Sequence, residues 1–382
     1  MPVLKPAQPP TGAAKPAAGQ KPATAGAQQP APAATQPPVG PPPFAKPNRP
    51  LSAITAVAFS PDGKHLAVGT YGEAVVFDTA TWQQSAVCRQ VEDSVRSIAF
   101  NPDCHTVALG GGLPGRSGQT EIWDTAATQP PRALPQQYDS VESVAYDKSG
   151  KGLLVGADDN KVRYVADAGA GGGTVLDSHN GRVQAVAFSP KEQSIFISGG
   201  MDKIVKVWDL KSVKNVINFD QSDGGITGLA FLNNGDQFVG ASLDGKLYWW
   251  GVGYDAKKAS YNGYHFRTIG AHNGGVYALS RSADGRRMIT GGADHAICVW
   301  DLNSGGQVRA FRDTTSEPVY AAALSPDGKI AAAGGRDGLV YVLDVDANKP
   351  ITTLVPPPLP AEKPSAPAKP AKSARRAGKT KR

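Results

Sequence analysis

Short runs in which apolar and polar residues alternate recur seven times between residues 54 and 343. Each repeat opens on a Val or Ile and has room for four short strands separated by turns. The opening residues are Ile54, Val95, Val141, Val183, Ile226, Val276 and Val319, so successive repeats begin 41, 46, 42, 43, 50 and 43 residues apart. A period of this length indicates a repeat architecture in which neighbouring units share a core.

The fourth repeat shows its strands most clearly. Its alternation predicts strands over residues 183–189, 194–199, 204–210 and 215–220, and no helical periodicity interrupts them. A single four-stranded antiparallel sheet of this kind is apolar on both faces. We therefore expect seven such sheets to pack face to face in a ring, which covers the faces and protects the edges.

A Trp-Asp pair closes the third predicted strand in several repeats. The pairs are Trp123-Asp124, Trp208-Asp209 and Trp300-Asp301, with Phe77-Asp78 and Leu343-Asp344 as weaker equivalents. Together with the period, these pairs resemble the WD-repeat family of β-propellers over residues 51–355. The resemblance implies an all-β fold, a seven-bladed β-propeller of four-stranded antiparallel blades.

The two ends of the chain differ in composition from the repeats. Residues 1–49 are rich in Pro and Ala, and residues 356–382 are rich in Pro, Ala and Lys, so neither end can bury much apolar surface. We predict disordered arms on both sides of a propeller at residues 50–355. The arms carry net charges of +5 and +7 against +7 for the whole chain, which leaves about −5 for the repeats.

The end of the last repeat predicts how the ring closes. Residues 351–355 have the pattern of a fourth strand, whereas residues 43–50 contain three prolines and make a poor strand. We therefore predict that the last blade is completed by its own C-terminal strand, with no strand exchanged across the seam.

Cysteine usage and the N-terminal sequence predict the compartment. Cys88, Cys104 and Cys298 lie in three different repeats, which excludes a disulfide framework and favours a reducing compartment. The sequence shows neither a secretory signal nor an apolar run of transmembrane length. We expect a cytoplasmic protein without membrane contact, with a monomeric propeller that works within a complex.

Two histidines, each four residues before an opening valine, are the first candidates for catalysis or metal binding. The WD-repeat resemblance gives them a structural role instead, in hydrogen-bonded sets with a Ser or Thr, an Asp and a Trp. The two sets are His179, Ser198, Asp202 and Trp208, and His272, Thr290, Asp294 and Trp300. Because such sets satisfy their own donors and acceptors, we predict no catalytic residue, no metal and no cofactor.

Acidic residues recur in the turn between the second and third strands. They are Asp159, Asp202, Asp244, Asp294 and Asp337. Each belongs to a different blade, so the carboxylates should lie too far apart to share a calcium ion. We expect them to stabilise their local turns.

The resemblance also implies a docking face, formed in this family by the turns between strands two and three and by the loops that enter strand one. The residues placed there are Arg96, Glu142, Asp158, Met201, Leu243, Tyr277, Tyr320 and Arg336. A mixture of apolar and charged side chains suits a protein or peptide. It is not the uniformly basic stripe that nucleic acid requires.

Two segments lengthen the repeats beyond what a ring needs. Residues 113–117, which include Arg116, lengthen a turn of the second repeat, and a surface insertion would explain them. Residues 251–267 contain Tyr254, Tyr261 and a cluster of basic residues that would suit a partner if exposed. Alternatively, residues 264–267 begin the fourth strand and pack inward.

These patterns predict a non-catalytic scaffold for protein–protein interactions through the rim of the propeller. An alternative gives the function to the C-terminal arm, whose basic residues would contact nucleic acid or an acidic partner. Those residues are Arg375, Arg376, Lys379, Lys381 and Arg382. A propeller enzyme is the third hypothesis, and the lack of convergent polar groups in the sequence counts against it.

Overall fold

The computed structural model describes residues 51–126, 129–135, 137–168, 173–177 and 179–356. The arm predicted at residues 1–49 and, apart from Pro356, the arm at 356–382 lie outside the described residues. The arms and the basic C-terminal residues therefore remain predictions. No helix among the described residues has the length and apolar character needed to cross a membrane.

The described residues form 28 strands, four to each blade. The innermost strands are Ala56–Phe59 (β1), Ser97–Phe100 (β5), Val141–Tyr146 (β9), Val183–Phe188 (β13), Ile226–Phe231 (β17), Val276–Arg281 (β21) and Val319–Leu324 (β25). The second strands are His65–Gly69 (β2), Thr106–Leu113 (β6), Leu153–Ala157 (β10), Ile195–Gly200 (β14), Gln237–Ser242 (β18), Arg287–Gly292 (β22) and Ile330–Gly335 (β26).

The outer two strands complete each blade. The third strands are Ala74–Asp78 (β3), Ser117–Asp124 (β7), Lys161–Val165 (β11), Val205–Asp209 (β15), Lys246–Asp255 (β19), Ile297–Asp301 (β23) and Val340–Asp344 (β27). The outermost strands are Gln84–Cys88 (β4), Arg132–Ala133 (β8), Thr174–Asp177 (β12), Lys214–Phe219 (β16), Ser260–Gly270 (β20), Gln307–Phe311 (β24) and Lys349–Leu354 (β28).

Each blade is an antiparallel sheet of four strands that are consecutive in the chain, which confirms the predicted seven-bladed propeller. The core lies between the blades, because each sheet buries side chains on both faces. On the face of the fourth blade that packs against the third, for example, Phe196 stacks on Trp208 with ring centroids 5.8 Å apart. Between the fifth and sixth, Trp249 is fully buried beside Met288 and Cys298.

The ring closes as predicted, with the last blade completed by its own C-terminal strand β28. At the seam, the backbone N–H of Ile54 donates to the carbonyl of Gly335 at 2.8 Å. An apolar cluster that includes Leu66 and Val340 fills the space between the first and last blades. The seam therefore has the same kind of sideways packing as the other blade interfaces, and residues 43–50 lie outside the described residues.

In five blades the strand pairing slips at the second residue of the innermost strand. Opposite Gly156 and Ala157, for instance, the partners are Ser143 and Val141, so Glu142 is an extra residue in a β-bulge. The bulged residues are Glu142, Gln184, Thr227, Tyr277 and Tyr320. A bulge re-aims a side chain out of the regular alternation.

The extension at residues 113–117 is a longer hairpin, which corrects the expectation of a lengthened turn. Leu113 pairs with Ser117, and two further pairs join Gly112 to Gly118 and Gly111 to Gln119. The added residues continue β6 and β7 outward because both backbones keep the ladder hydrogen bonds. Only residues 114–116 form the turn.

The turn after the innermost strand demands a positive φ at its fourth position. Gly63, Gly285 and Gly328 have φ between 66° and 73° there, and Cys104 has φ 72° in the second blade. We expect Cys104→Gly to raise the free energy of unfolding by about 1 kcal/mol, because a Cβ is strained in this conformation. Chemical denaturation checks this, with Cys104→Ala as the control that removes the thiol but keeps the Cβ. Equal stability of the two variants would contradict it.

Candidate functional site

Both histidine sets form hydrogen-bonded chains inside their blades. In the fourth blade, Nδ1 of His179 lies 2.9 Å from Oδ2 of Asp202, and Nε2 lies 2.8 Å from Oγ of Ser198. The indole Nε1–H of Trp208 donates to the same Ser198 oxygen at 2.9 Å. Both ring nitrogens of His179 therefore already have partners, and its side chain is fully buried.

The sixth blade repeats this geometry. Nδ1 of His272 is 2.7 Å from Oδ1 of Asp294, Nε2 is 2.8 Å from Oγ1 of Thr290, and Trp300 donates to that hydroxyl at 2.9 Å. Burial alone would raise the pKa of Asp294, but its hydrogen bonds to backbone and to His272 lower it overall. The ionised carboxylate fixes the orientation of the imidazole, and the His272 side chain is fully buried with a partner at each ring nitrogen.

Three blades without the histidine use another partner for the turn acid, which the sequence reasoning missed. The phenol of Tyr248 donates to Asp244 at 2.6 Å, and that of Tyr341 donates to Asp337 at 2.5 Å. In the third blade Arg163 pairs with the acid of the turn. The available signal was a phenol or guanidinium four residues after the acid. Each turn acid also accepts the backbone N–H two residues on, as in Ile204 N–H to Asp202.

Four of the candidate docking residues, Arg96, Glu142, Tyr277 and Tyr320, line one end of the central channel. We call this end, where the innermost strands begin, the entry mouth, and it encloses a cavity of about 210 Å³. Its lining includes the residue that follows the opening Val or Ile of each repeat, namely Thr55, Arg96, Glu142, Gln184, Thr227, Tyr277 and Tyr320. In the five blades that contain a bulge, the bulge aims this side chain out of the regular alternation and toward the channel.

One side of the entry mouth, formed by blades two to four, is charged. Oε1 of Glu142 lies 3.4 Å from Nε of Arg96, and Asp158 lies 3.6 Å from a guanidinium nitrogen of Arg182. Gln184 also donates to Asp158, at 3.3 Å. The Nε–H of Arg96 is buried, yet within the described residues it makes no aligned hydrogen bond. A terminal nitrogen of Arg96 also lies 3.5 Å from Oδ2 of Asp93, so its guanidinium is shared between two carboxylates.

Burial dominates the protonation of the acidic residues in this sector. It raises the pKa of Glu142 to about 7, against a lowering by the nearby Arg96 charge. Burial likewise raises the pKa of Asp158, although Arg182 opposes it. Near neutral pH, Glu142 therefore exchanges between a charged and a neutral form.

The opposite side of the mouth, on blades four to seven, is apolar and aromatic. The rings of Tyr277 and Tyr320 lie 5.6 Å apart between centroids, and Tyr277 and Leu243 are each 37% exposed. A Cβ added to Gly275 would lie 3.2 Å from both Leu243 and Tyr277, so these two side chains border the same glycine. Met201 borders Gly225 in the same way, which extends the apolar sector to the fourth blade.

Seven predicted partner residues do not line the cavity, namely Arg116, Asp158, Met201, Leu243, Tyr254, Tyr261 and Arg336. Asp158, Met201 and Leu243 belong to the charged and apolar sectors beside it. Arg116 is exposed at the tip of the hairpin of the second blade, and Arg336 is exposed beside the turn acid of the seventh.

The long segment of the fifth blade is a hairpin of β19 and β20, paired as far as Asp255 and Ser260. Residues 264–267 belong to the fourth strand, as the alternative predicted. Its other part, that they pack inward, is wrong for Tyr264 and Phe266, whose side chains are 50% and 39% exposed. Gly251 opposes Tyr264 in the ladder and leaves room for its ring. This face of the hairpin therefore presents aromatic rings to solvent.

Tyr254 and Tyr261 lie on the other face of the hairpin, with ring centroids 5.0 Å apart. Both line a groove of about 820 Å³ that runs between the hairpin and the fourth blade. Its charged walls are paired internally, Lys191 with Asp236 at 2.8 Å and Lys211 with Glu192 at 3.0 Å. The groove is a second surface separate from the entry mouth.

No group of three or more His, Cys, Asp or Glu side chains in the described part of the chain is arranged to hold a metal ion. The two buried thiols are also poorly suited to nucleophilic chemistry. Burial raises the pKa of Cys88 and raises that of Cys298 to about 11, so both are protonated at neutral pH.

Comparison with known families identifies five of the repeats. The model described as "WD domain, G-beta repeat" matches residues 48–78, 173–209, 213–251, 263–301 and 305–344. The stretches that remain unmatched contain most of the second and third blades. The third repeat has Val165-Ala166 where other repeats have the Trp-Asp pair, which agrees with this result.

Several curated proteins are similar over part of their length. The 66 kDa stress protein of Physarum polycephalum is 30% identical over 158 residues, covering 41% of this chain and 25% of that protein. The Periodic tryptophan protein 2 homolog of Schizosaccharomyces pombe is 27% identical, covering 45% of this chain and 21% of that protein. The Ribosome biogenesis protein WDR12 homolog of Chlamydomonas reinhardtii is 27% identical, covering 34% of this chain and 36% of that protein. The chain thus spans about a fifth to a third of these relatives.

Proposed function

Because this chain belongs to the WD-repeat family, we propose that it is a non-catalytic scaffold that binds a partner protein at the entry mouth of its propeller. The observation that supports this most is the division of the mouth into a charged sector and an aromatic sector. Aromatic side chains contribute most binding free energy in protein interfaces, and charged neighbours set orientation and association rate.

The rigid ring supports binding at low entropic cost. Innermost strands on all sides hold the mouth, so few protein groups are ordered when a partner docks. Leu243 and Tyr277 would supply the apolar anchor, and Arg96, Glu142 and Asp158 the polar contacts. A role in a multiprotein assembly accords with the printed name of the Chlamydomonas relative, a ribosome biogenesis protein. Cytoplasmic localisation and a monomeric propeller remain part of this proposal.

Crosslinking in native cells, followed by mass spectrometry, tests the proposal and identifies the partner. With the double variant Leu243→Ala/Tyr277→Ala we expect at least tenfold less of the captured partner, because truncation of two adjacent anchors typically costs more than 1 kcal/mol each. The control is Val213→Ala, which truncates an apolar side chain that is 50% exposed in the turn between β15 and β16 and does not line the mouth. Its capture should equal that of the unmodified protein.

The fifth-blade hairpin is the competing surface. If the mouth variant captures normally and Tyr264→Ala/Phe266→Ala does not, binding lies on the hairpin and the proposal for the mouth is wrong. The thermal stability of each variant, measured alongside, separates a lost contact from a lost fold.

A further inference from the structure

The last residue of the innermost strand is apolar or aromatic in six of the seven blades. The residues at this position each pair with a residue at the start of the second strand. They are Phe59, Phe100, Tyr146, Phe188, Phe231 and Leu324. In the sixth blade the equivalent residue is Arg281, which pairs with Met288. An arginine thus replaces a core residue at the end of the channel opposite the entry mouth.

We call this opposite end, where the innermost strands finish, the exit mouth. It holds a cavity of about 360 Å³ lined by the first, second, sixth and seventh blades. Most of the lining residues are apolar, with Phe59, Ile98, Phe100 and Leu279 among them. Ser60, Ser280 and backbone groups add polar surface, and Arg281 is the charged side chain of the lining. A cavity of this size falls in the range that encloses small ligands.

Within the described part of the chain, no carboxylate forms an ion pair with Arg281. Among the described residues its hydrogen bond is to the neutral side chain of Asn233, from Nη1 to Oδ1 at 2.7 Å, and it forms no ion pair there. Burial lowers the pKa of Arg281 against a weaker opposing influence of Asp284. A guanidinium carries five N–H donors, so most of its hydrogen-bonding capacity remains for a ligand.

The acidic residues nearest this mouth are already paired. Asp284 accepts a hydrogen bond from Ser282 at 2.5 Å and lies 3.9 Å from Arg286. Asp62 and Asp327 in the neighbouring turns have the same arrangement, each with a lysine two residues on at 3.5 and 3.8 Å. The positive charge left over at the mouth is therefore that of Arg281.

We propose that the exit mouth binds a carboxylate with an apolar body, held by Arg281 with the apolar part against the channel walls. Arginine matches a carboxylate in a two-point geometry, and one guanidinium balances one negative charge. The carboxylate can come from a free organic acid or from the C-terminus of a partner chain, since the recognised chemistry is the same.

Ligand-observed NMR titrations of the full-length protein test the site with two pairs of probes. Hexanoate is compared with hexanamide, and N-acetyl-Ala-Leu with its C-terminal amide. We expect at least one acid to bind at least tenfold more tightly than its amide. A preference for hexanoate alone identifies a free acid as the source, and one for the dipeptide acid alone identifies a chain terminus. Equal binding by acids and amides overturns the proposal.

Variants of the arginine give the second readout. Arg281→Met should reduce acid binding at least tenfold without lowering thermal stability, because six blades already have an apolar or aromatic side chain at this position and no unpaired charge stays buried. Arg286→Ala is the control, since Arg286 lies on the same turn but its side chain is 83% exposed. Unchanged acid binding by Arg281→Met, or an equal loss with Arg286→Ala, would show that Arg281 does not hold the ligand.

Discussion

Replacing Ser198 by alanine is expected to lower the free energy of unfolding by about 3 kcal/mol. The Ser198 hydroxyl is hydrogen bonded to both Nε2 of His179 and the indole Nε1–H of Trp208. Without it, two buried polar groups lose a partner at once, and each orphaned group costs about 1 to 3 kcal/mol. Urea denaturation followed by tryptophan fluorescence measures the effect.

The chain itself supplies the matched control for this variant. Thr290 has the equivalent place in the sixth blade and makes the same two contacts. Ser198→Thr keeps the hydroxyl and should therefore lose much less stability than Ser198→Ala. If both variants were equally destabilised, the loss would come from packing, and the hydrogen-bonded set would not be what stabilises the blade.

The second large effect is a pH-dependent gain in stability when Glu142 is replaced by glutamine. The pKa of Glu142 rises from 4.5 to about 7 on folding, so the folded state binds the proton more tightly than the unfolded state. Tighter proton binding by Glu142 stabilises the folded state fully below pH 4.5, and this stabilisation is lost as the pH rises to about 7. The loss is on the order of 3 kcal/mol. Glutamine mimics the protonated acid and should avoid it.

Unfolding free energies of Glu142→Gln and the unmodified protein should therefore agree near pH 4.5 and diverge up to pH 8, with the variant more stable. The control is Glu192→Gln, which removes an exposed carboxyl whose pKa is lowered by Lys211. That variant should show no gain at high pH. A Glu142→Gln protein less stable than the original at pH 8 would show that Arg96 holds the ionised carboxylate firmly.

The fold could be predicted from sequence because its determinants are local and recur. In the fourth blade the observed strands begin and end within one residue of those predicted from alternation, as in Ile195–Gly200 against 194–199. The histidine sets followed from the WD-repeat resemblance, since the four residue types that it implies appear at matching positions in two repeats. The fourth strand of the last blade could be predicted from the pattern of residues 351–355 alone.

The details of the sites required three-dimensional information. The bulge at Glu142 depends on cross-strand register, which alternation within one strand cannot reveal. The extension at 113–117 contains Pro and Gly, so it resembles a loop, although the flanking glycines pair as strand. The exposure of Tyr264 depends on how far the hairpin reaches past its neighbours, and the unpaired state of Arg281 depends on the positions of carboxylates from other turns.

The seam between the first and last blades has a consequence for how the protein is made. Ile54 contacts Gly334 and Gly335, about 280 residues later in the chain, so the ring cannot close until the last blade has been synthesised. Closing so long a loop costs entropy that only the completed interface returns. A nascent chain of six blades would expose the apolar face of Leu66 and Val68 to its surroundings. Ring closure is therefore the step of biogenesis at which aggregation and chaperone binding compete most strongly with folding.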